Sequence, residues 1–101
     1  MSSKTVALMV NGNNVPLSFF VQTYFDRVLD GIAGALENTH DVETLSLEAG
    51  EGGITLTING SPINMNEFVR NIVRKTVEGM IESLRGVAAI KTFTISIGSG
   101  Q

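Results

Sequence analysis

Polar and apolar residues alternate along 54–58, with Ile54, Leu56 and Ile58 apolar and Thr55 and Thr57 polar. Side chains of a strand point alternately to its two faces, so this pattern predicts a strand with one buried face. Val6-Ala7-Leu8-Met9-Val10 is an earlier run of strand formers. Both runs lead into Asn-Gly, at Asn11-Gly12 and Asn59-Gly60. The two central residues of a type I′ turn need positive φ, which Asn and Gly tolerate best. Each run is thus predicted to fold back as a hairpin. The return strands end in Val15 and Leu17, and in Ile63 and Met65. Later, Leu45, Leu47 and Ala49 alternate with Thr44, Ser46 and Glu48, and Phe93, Ile95 and Ile97 with Thr92, Thr94 and Ser96. These are two further strands.

Between the hairpins and the later strands the period changes. Val69, Ile72, Val73, Thr76, Val77, Met80 and Leu84 recur at helical spacing, with Glu67, Arg70, Asn71, Arg74, Lys75, Glu78 and Glu82 on the other face. The earlier helix has a broader apolar face: Phe20, Val21, Tyr24, Phe25, Val28, Leu29, Ile32 and Leu36. Ser18 and Asn66 suit the N-caps, and Asn64 with Glu67 offers a second capping-box-like start. Asn38 and Gly86 suit the left-handed position after each helix, which sets both at about 20 residues.

The two patterns are one pattern repeated. A shift of 48 residues lays 6–50 on 54–98 without a gap. Leu8/Leu56, Asn11/Asn59, Gly12/Gly60, Phe20/Phe68, Val21/Val69, Gly31/Gly79, Leu36/Leu84, Thr44/Thr92 and Gly50/Gly98 are identical. The unit reads β-β-α-β, twice, and Gly50-Glu51-Gly52-Gly53 between the copies is a connector or open hairpin turn. Each repeat is near the size below which one core is rarely sufficient. The expectation is therefore a single domain, 1–101, of two repeats sharing one core. Its fold class is α+β: six mostly antiparallel strands, two helices on one face, and a pseudo-twofold. Two three-stranded sheets packed through their helices would also satisfy the pattern, and strand order stays open.

Val10 to Val21, with Val-Asn-Gly followed by Val-Pro-Leu-x-x-Phe-Val, recurs as Ile58-Asn59-Gly60, Ile63-Asn64-Met65 and Phe68-Val69. The second copy continues to Gly79-Met80 and Ser83-Leu84-Arg85-Gly86. This pattern resembles a small uncharacterised prokaryotic β-β-α-β domain of unknown function, often present once per chain. The second repeat resembles it more closely, and the two copies together cover almost the whole chain. The resemblance implies a homodimeric ancestor whose partners became fused, and it implies no activity.

Composition narrows the chemistry. The 101 residues are 43% hydrophobic and 17% charged, as in globular chains rather than disordered ones. With no cysteine, disulfides, thiolate metal sites and cysteine nucleophiles are excluded. Met1-Ser2-Ser3-Lys4-Thr5 lacks an apolar signal core and no run of about 18 apolar residues exists, so the expected location is cytoplasmic. A net charge of −3 disfavours nucleic acid and anionic lipid as partners.

Individual residues add little catalytic promise. His40 beside Asp41 could serve a metal or proton transfer, but its position after a helix C-terminus is favourable in itself. Asp26, Asp30, Glu37, Glu78 and Glu82 could pair across a groove, although a solvated helix face accounts for them. Arg70, Arg74, Lys75 and Arg85 are interrupted by carboxylates and lack interleaved aromatics, which disfavours nucleic acid. Gly31 and Gly79 sit mid-helix in both repeats, a repeated cost of about 1 kcal/mol each that suggests close approach by a neighbour. Tyr24, with Gln22 or Thr23 nearby, could orient a ligand between the helices.

The functional expectation is a non-enzymatic assembly or adaptor domain, with a protein partner or weak homo-oligomer, no metal and no cofactor. Its contacts would run through the second sheet edge, at Ile63 and Met65, aided by the apolar surplus of the first helix. Pro16 would blunt the first edge, whereas Pro62 sits only at the start of the second. The alternative is a small-ligand binder with a pocket near Tyr24, Gly31 and Gly79.

Overall fold

The computed structural model describes residues 4–37, 42–84 and 89–99. His40, Asn38 and Gly86 lie outside them. In chain order the elements are β1 (Lys4–Val10), β2 (Asn13–Val15), α1 (Phe19–Glu37), β3 (Leu45–Gly50), β4 (Gly53–Ile58), β5 (Ser61–Pro62), α2 (Glu67–Glu82) and β6 (Phe93–Ser99). The strands form one antiparallel six-stranded sheet in the order β2-β1-β6-β3-β4-β5. The fold is α+β, and the two-sheet arrangement is not adopted.

Local chemistry sets the turns and caps. Asn11 and Asn59 have φ of 52° and 51°, followed by Gly12 at 80° and Gly60 at 83°. Both are the left-handed pairs that a type I′ hairpin requires. Glu51-Gly52 closes a third hairpin, in which Gly50 pairs with Gly53. The glycine segment is thus a turn, not a flexible connector. At α1 the Val21 amide donates to Ser18 Oγ at 3.3 Å, and at α2 the Val69 amide donates to Asn66 Oδ1 at 2.8 Å. Asn66, rather than Asn64, caps α2.

Alternate residues of the four long strands are buried: Val6, Leu8 and Val10; Leu45, Leu47 and Ala49; Ile54, Leu56 and Ile58; Phe93, Ile95 and Ile97. Phe25, Leu29 and Ala33 of α1 and Val73, Val77 and Ile81 of α2 belong to the same cluster. One face of the sheet therefore carries both helices. The opposite face presents Thr5, Ala7, Met9, Glu48, Thr55 and Ser96, small or polar apart from Met9. No helix among the described residues is long and apolar enough to cross a membrane.

The hairpin of each half pairs with the closing strand of the other. β1 lies against β6, not against β3, and β4 lies against β3, not against β6. β3 and β6 then pair together at the centre, with Leu47 opposite Ile95. Each Asn-Gly turn also reaches across. Asn11 Oδ1 accepts from the amides of Lys91 and Thr92 at 2.7 and 3.0 Å, and its Nδ2 donates to Ala89 O at 2.7 Å. Asn59 Oδ1 accepts from the amides of Glu43 and Thr44 at 2.7 and 3.0 Å. A residue chosen for its φ is also a clasp on the segment leading into the other half's last strand.

Two outcomes follow. Fragments separated between Glu51 and Gly52 should be unfolded or self-associated when alone, and should recover native circular dichroism when mixed. A monomeric, cooperatively folded half would contradict the interleaved pairing. Asn11→Ala loses the clasp and places a side chain at positive φ, costing about 2–4 kcal/mol in denaturant titration. Asn11→Gly restores the φ but not the clasp, so it should recover only part of that loss.

Candidate functional site

α1 packs on β1 and α2 on β4. Two strands, β6 and β3, separate β1 from β4. At about 4.8 Å per strand, helices centred over them would stand roughly 14 Å apart. Directly packed helices approach to about 8–10 Å. The sheet therefore holds the helices too far apart to close, and a groove is left between them.

The groove has two lobes. The larger, of about 650 Å³, joins the first half of α1, with Phe20, Tyr24 and Val28, to the second half of α2, with Thr76, Gly79 and Ser83. The smaller, of about 200 Å³, joins Ile32 and Ala35 to Val69 and Ile72. Such pairing of first half with second half means that the helices run antiparallel. Three residues lining the groove are largely exposed, Phe20 at 73%, Tyr24 at 50% and Ile72 at 49%, and Phe19 and Phe68 in the first turns of the same helices are 81% and 70% exposed. Phe20 and Tyr24 stack with ring centroids 6.0 Å apart.

Among the described residues no carboxylate, imidazole, ammonium or guanidinium lines either lobe. Tyr24, Thr76 and Ser83 bring hydroxyls, and Ser83 Oγ already donates to Gly79 O at 3.1 Å. This lining can bury apolar surface and orient it with a few hydrogen bonds. Asp26, Asp30, Glu78 and Glu82 do not meet across the groove; Glu78 instead pairs with Arg74 at 3.1 Å. No described cluster of His, Asp and Glu could hold a metal ion.

The residues singled out in the sequence are divided by the structure. Tyr24 and Gly79 line the larger lobe, and Gly31 lines neither. Close packing at the glycines is overturned: a Cβ at Gly31 or Gly79 would meet nothing within 4 Å. At Gly79 the missing side chain leaves space open in the larger lobe. Gln22 is not a ligand group in the groove. Its Nε2 donates to Leu17 O at 3.2 Å and its Oε1 accepts from the Val6 amide at 3.4 Å. Arg70 does related work, donating from Nη1 to Met65 O.

The sheet edges offer less than the pattern suggested. Met65 is buried, and Ile63 is partly buried with its amide donating to Leu56 O at 2.9 Å. β5 is only Ser61–Pro62, so its middle ladder position, facing outward, is a proline without an amide donor. β2 ends at Val15, leaving Pro16 beyond it. Both edges are short, one means by which sheets avoid unwanted pairing. Ile72, on the apolar stripe of the sequence, is 49% exposed at the smaller lobe, and Ile81 takes a buried position instead.

Comparison with family models, with curated proteins and with solved structures finds no match for this chain.

Gly79→Ala reports directly on the open groove. With no neighbour to displace, the substitution should stabilise α2 by up to about 1 kcal/mol. For a chain of this size that corresponds to a rise of about 4–8 °C in Tm per kcal/mol. A lowered midpoint would mean that the groove is closed at Gly79.

Proposed function

We propose that this protein is a non-enzymatic assembly module that binds protein partners through its helix layer. The observation that carries this reading is the exposure of Phe20, Tyr24 and Ile72 along the groove, with Phe68 also exposed on α2. Taking about 200 Å² for a large side chain, these four leave about 480 Å² uncovered. Patches of that size on a monomer are often functional. Among the described residues Met9 is the one large apolar side chain strongly exposed on the sheet's open face, and the sheet edges are blunted.

The reading includes a tandem duplication with an approximate twofold, residues 6–50 and 54–98 forming one domain. Its support is in the ladders. A shift of 48 residues turns the pair Leu8↔Ile95 into Leu56↔Leu47, which is also a pair. The same shift carries Leu47 onto Ile95, its own partner. It carries the Asn11 clasp onto the Asn59 clasp, and the Gln22–Leu17 bond onto the Arg70–Met65 bond. A fused prokaryotic homodimer, as the sequence resemblance implies, would leave these marks.

A second reading has one observation in its favour. The larger lobe, at about 650 Å³, falls within the range of small-molecule pockets, and Tyr24, Thr76 and Ser83 could orient an apolar ligand there.

Photo-crosslinking in the host separates these readings. A photoreactive phenylalanine at Phe20 should yield protein adducts, and the same group at Thr55 on the open sheet face should not. Equal adducts at both positions, or none at Phe20, would remove the helix-layer assembly reading. Absence of adducts together with a small retained mass in native mass spectrometry would favour the ligand reading.

A further inference from the structure

We infer that the occupant of the helix layer is a second copy of this chain, docked helix layer to helix layer in an isologous pair. This inference rests on the assembly reading above and names its partner.

The first argument is area. A stable interface buries about 800 Å² on each partner. The molecule measures 34 × 33 × 18 Å, so its broad helix-covered face is large enough to supply that. The exposed side chains of Phe20, Tyr24, Phe68 and Ile72 on the two helices account for about 60% of it by themselves. They are spread along both helices, with Phe20 and Phe68 in the first turns, so the apolar area is distributed over the whole layer.

The second argument is self-complementarity. An isologous interface requires one surface to fit itself, so each projection must meet a gap elsewhere on the same face. Phe20 and Phe68 project from the first turns of the two helices. Gly31 and Gly79 leave open space in the helix interiors. The face therefore carries two ring-sized projections and two gaps. The projections of one copy are placed over the gaps of the other, as knobs enter holes between packed helices. The gaps otherwise have a cost in helix propensity and no internal contact to explain it.

Charge points the same way. α1 presents Arg27 and Asp30, both exposed, and α2 presents Lys75, also exposed, with Glu78 half-buried beside it. Arg27 and Lys75 occupy matching positions on the two helices, as do Asp30 and Glu78, the last also paired with Arg74. A copy facing itself can set opposite charges together, whereas a strongly acidic or basic partner would find no matching field.

Sedimentation velocity of the purified full chain, over a wide concentration range, tests the inference. The wild type should pass from monomer to dimer. Phe20→Lys with Phe68→Lys should raise the dimer Kd at least 100-fold while the far-UV circular dichroism stays native. Gly79→Leu is the second test. It should raise the folding midpoint, because leucine is the better helix former, yet weaken the dimer at least tenfold by filling the gap. Thr55→Lys, on the open sheet face, should leave the dimer unchanged.

A wild type that stays monomeric throughout overturns the inference. So does a dimer that survives both groove variants, or one broken by Thr55→Lys. The two readings fail differently. A monomeric wild type with adducts at Phe20 of a mass other than twice the chain removes self-pairing and keeps assembly. No adduct at Phe20 removes both.

Discussion

The ladder between β3 and β6 sets Leu47 against Ile95, both wholly buried, and it joins strands from opposite halves of the chain. Outward from it, each closing strand carries the hairpin of the other half. Neither half can complete a sheet from its own strands, because β1 and β3 never meet. The core inherits this dependence: Leu8 packs in one cluster with Leu56, and Phe25 with Val77. Cooperative folding follows, since removing either half leaves the other's β1 or β4 only its short hairpin mate and leaves the other's closing strand, β3 or β6, no neighbour at all. The Asn11 and Asn59 clasps strengthen the same dependence at the two ends of the central ladder, where backbone amides would otherwise face water.

The groove is a consequence of that sheet rather than of the helices. Each helix follows the strand it packs against, and the central pair of strands holds those strands apart. Filling the gap from within would take larger side chains at Ala35, Thr76, Gly79 and Ser83. The chain has small ones at all four positions and places Phe20 and Tyr24 at the lip instead. Apolar surface is therefore concentrated where the architecture leaves room for something else. This asymmetry between a bare, largely polar sheet face and a ring-lined helix layer is what directs the functional reading.

The parts of this structure legible in the sequence were those decided by local physics. Asn-Gly turns, the Ser18 and Asn66 caps and the alternation in four strands each need only a few neighbouring residues. Strand order was not legible, because β1 pairs with residues more than 80 positions away, and period-2 alternation says which face is buried but not beside what. Helix faces were half legible. Apolar spacing located the helices, yet it treated Phe20, Tyr24 and Ile72 as core and overlooked Ile81. Hydrophobicity marks what could be buried; the width of the sheet decides what is. The glycines misled for a related reason. Sequence reveals the cost of a mid-helix glycine but not whether a neighbour or empty space accounts for it. Ile63 and Met65 suggested an open edge only while the return strand was taken to extend through them.

One feature of the ladders makes the chain nearly a ring. Thr5 pairs with Gly98 and Lys4 with Ser99, so the strands at the two ends of the described fold lie side by side. Gly50 and Gly53 occupy the corresponding place in the other ladder, where two residues suffice to turn the chain. Where the chain is cut is therefore a detail of connectivity rather than of structure. A circularly permuted order, opened at Glu51–Gly52 and joined from Ser99 to Lys4, describes the same sheet, core and groove.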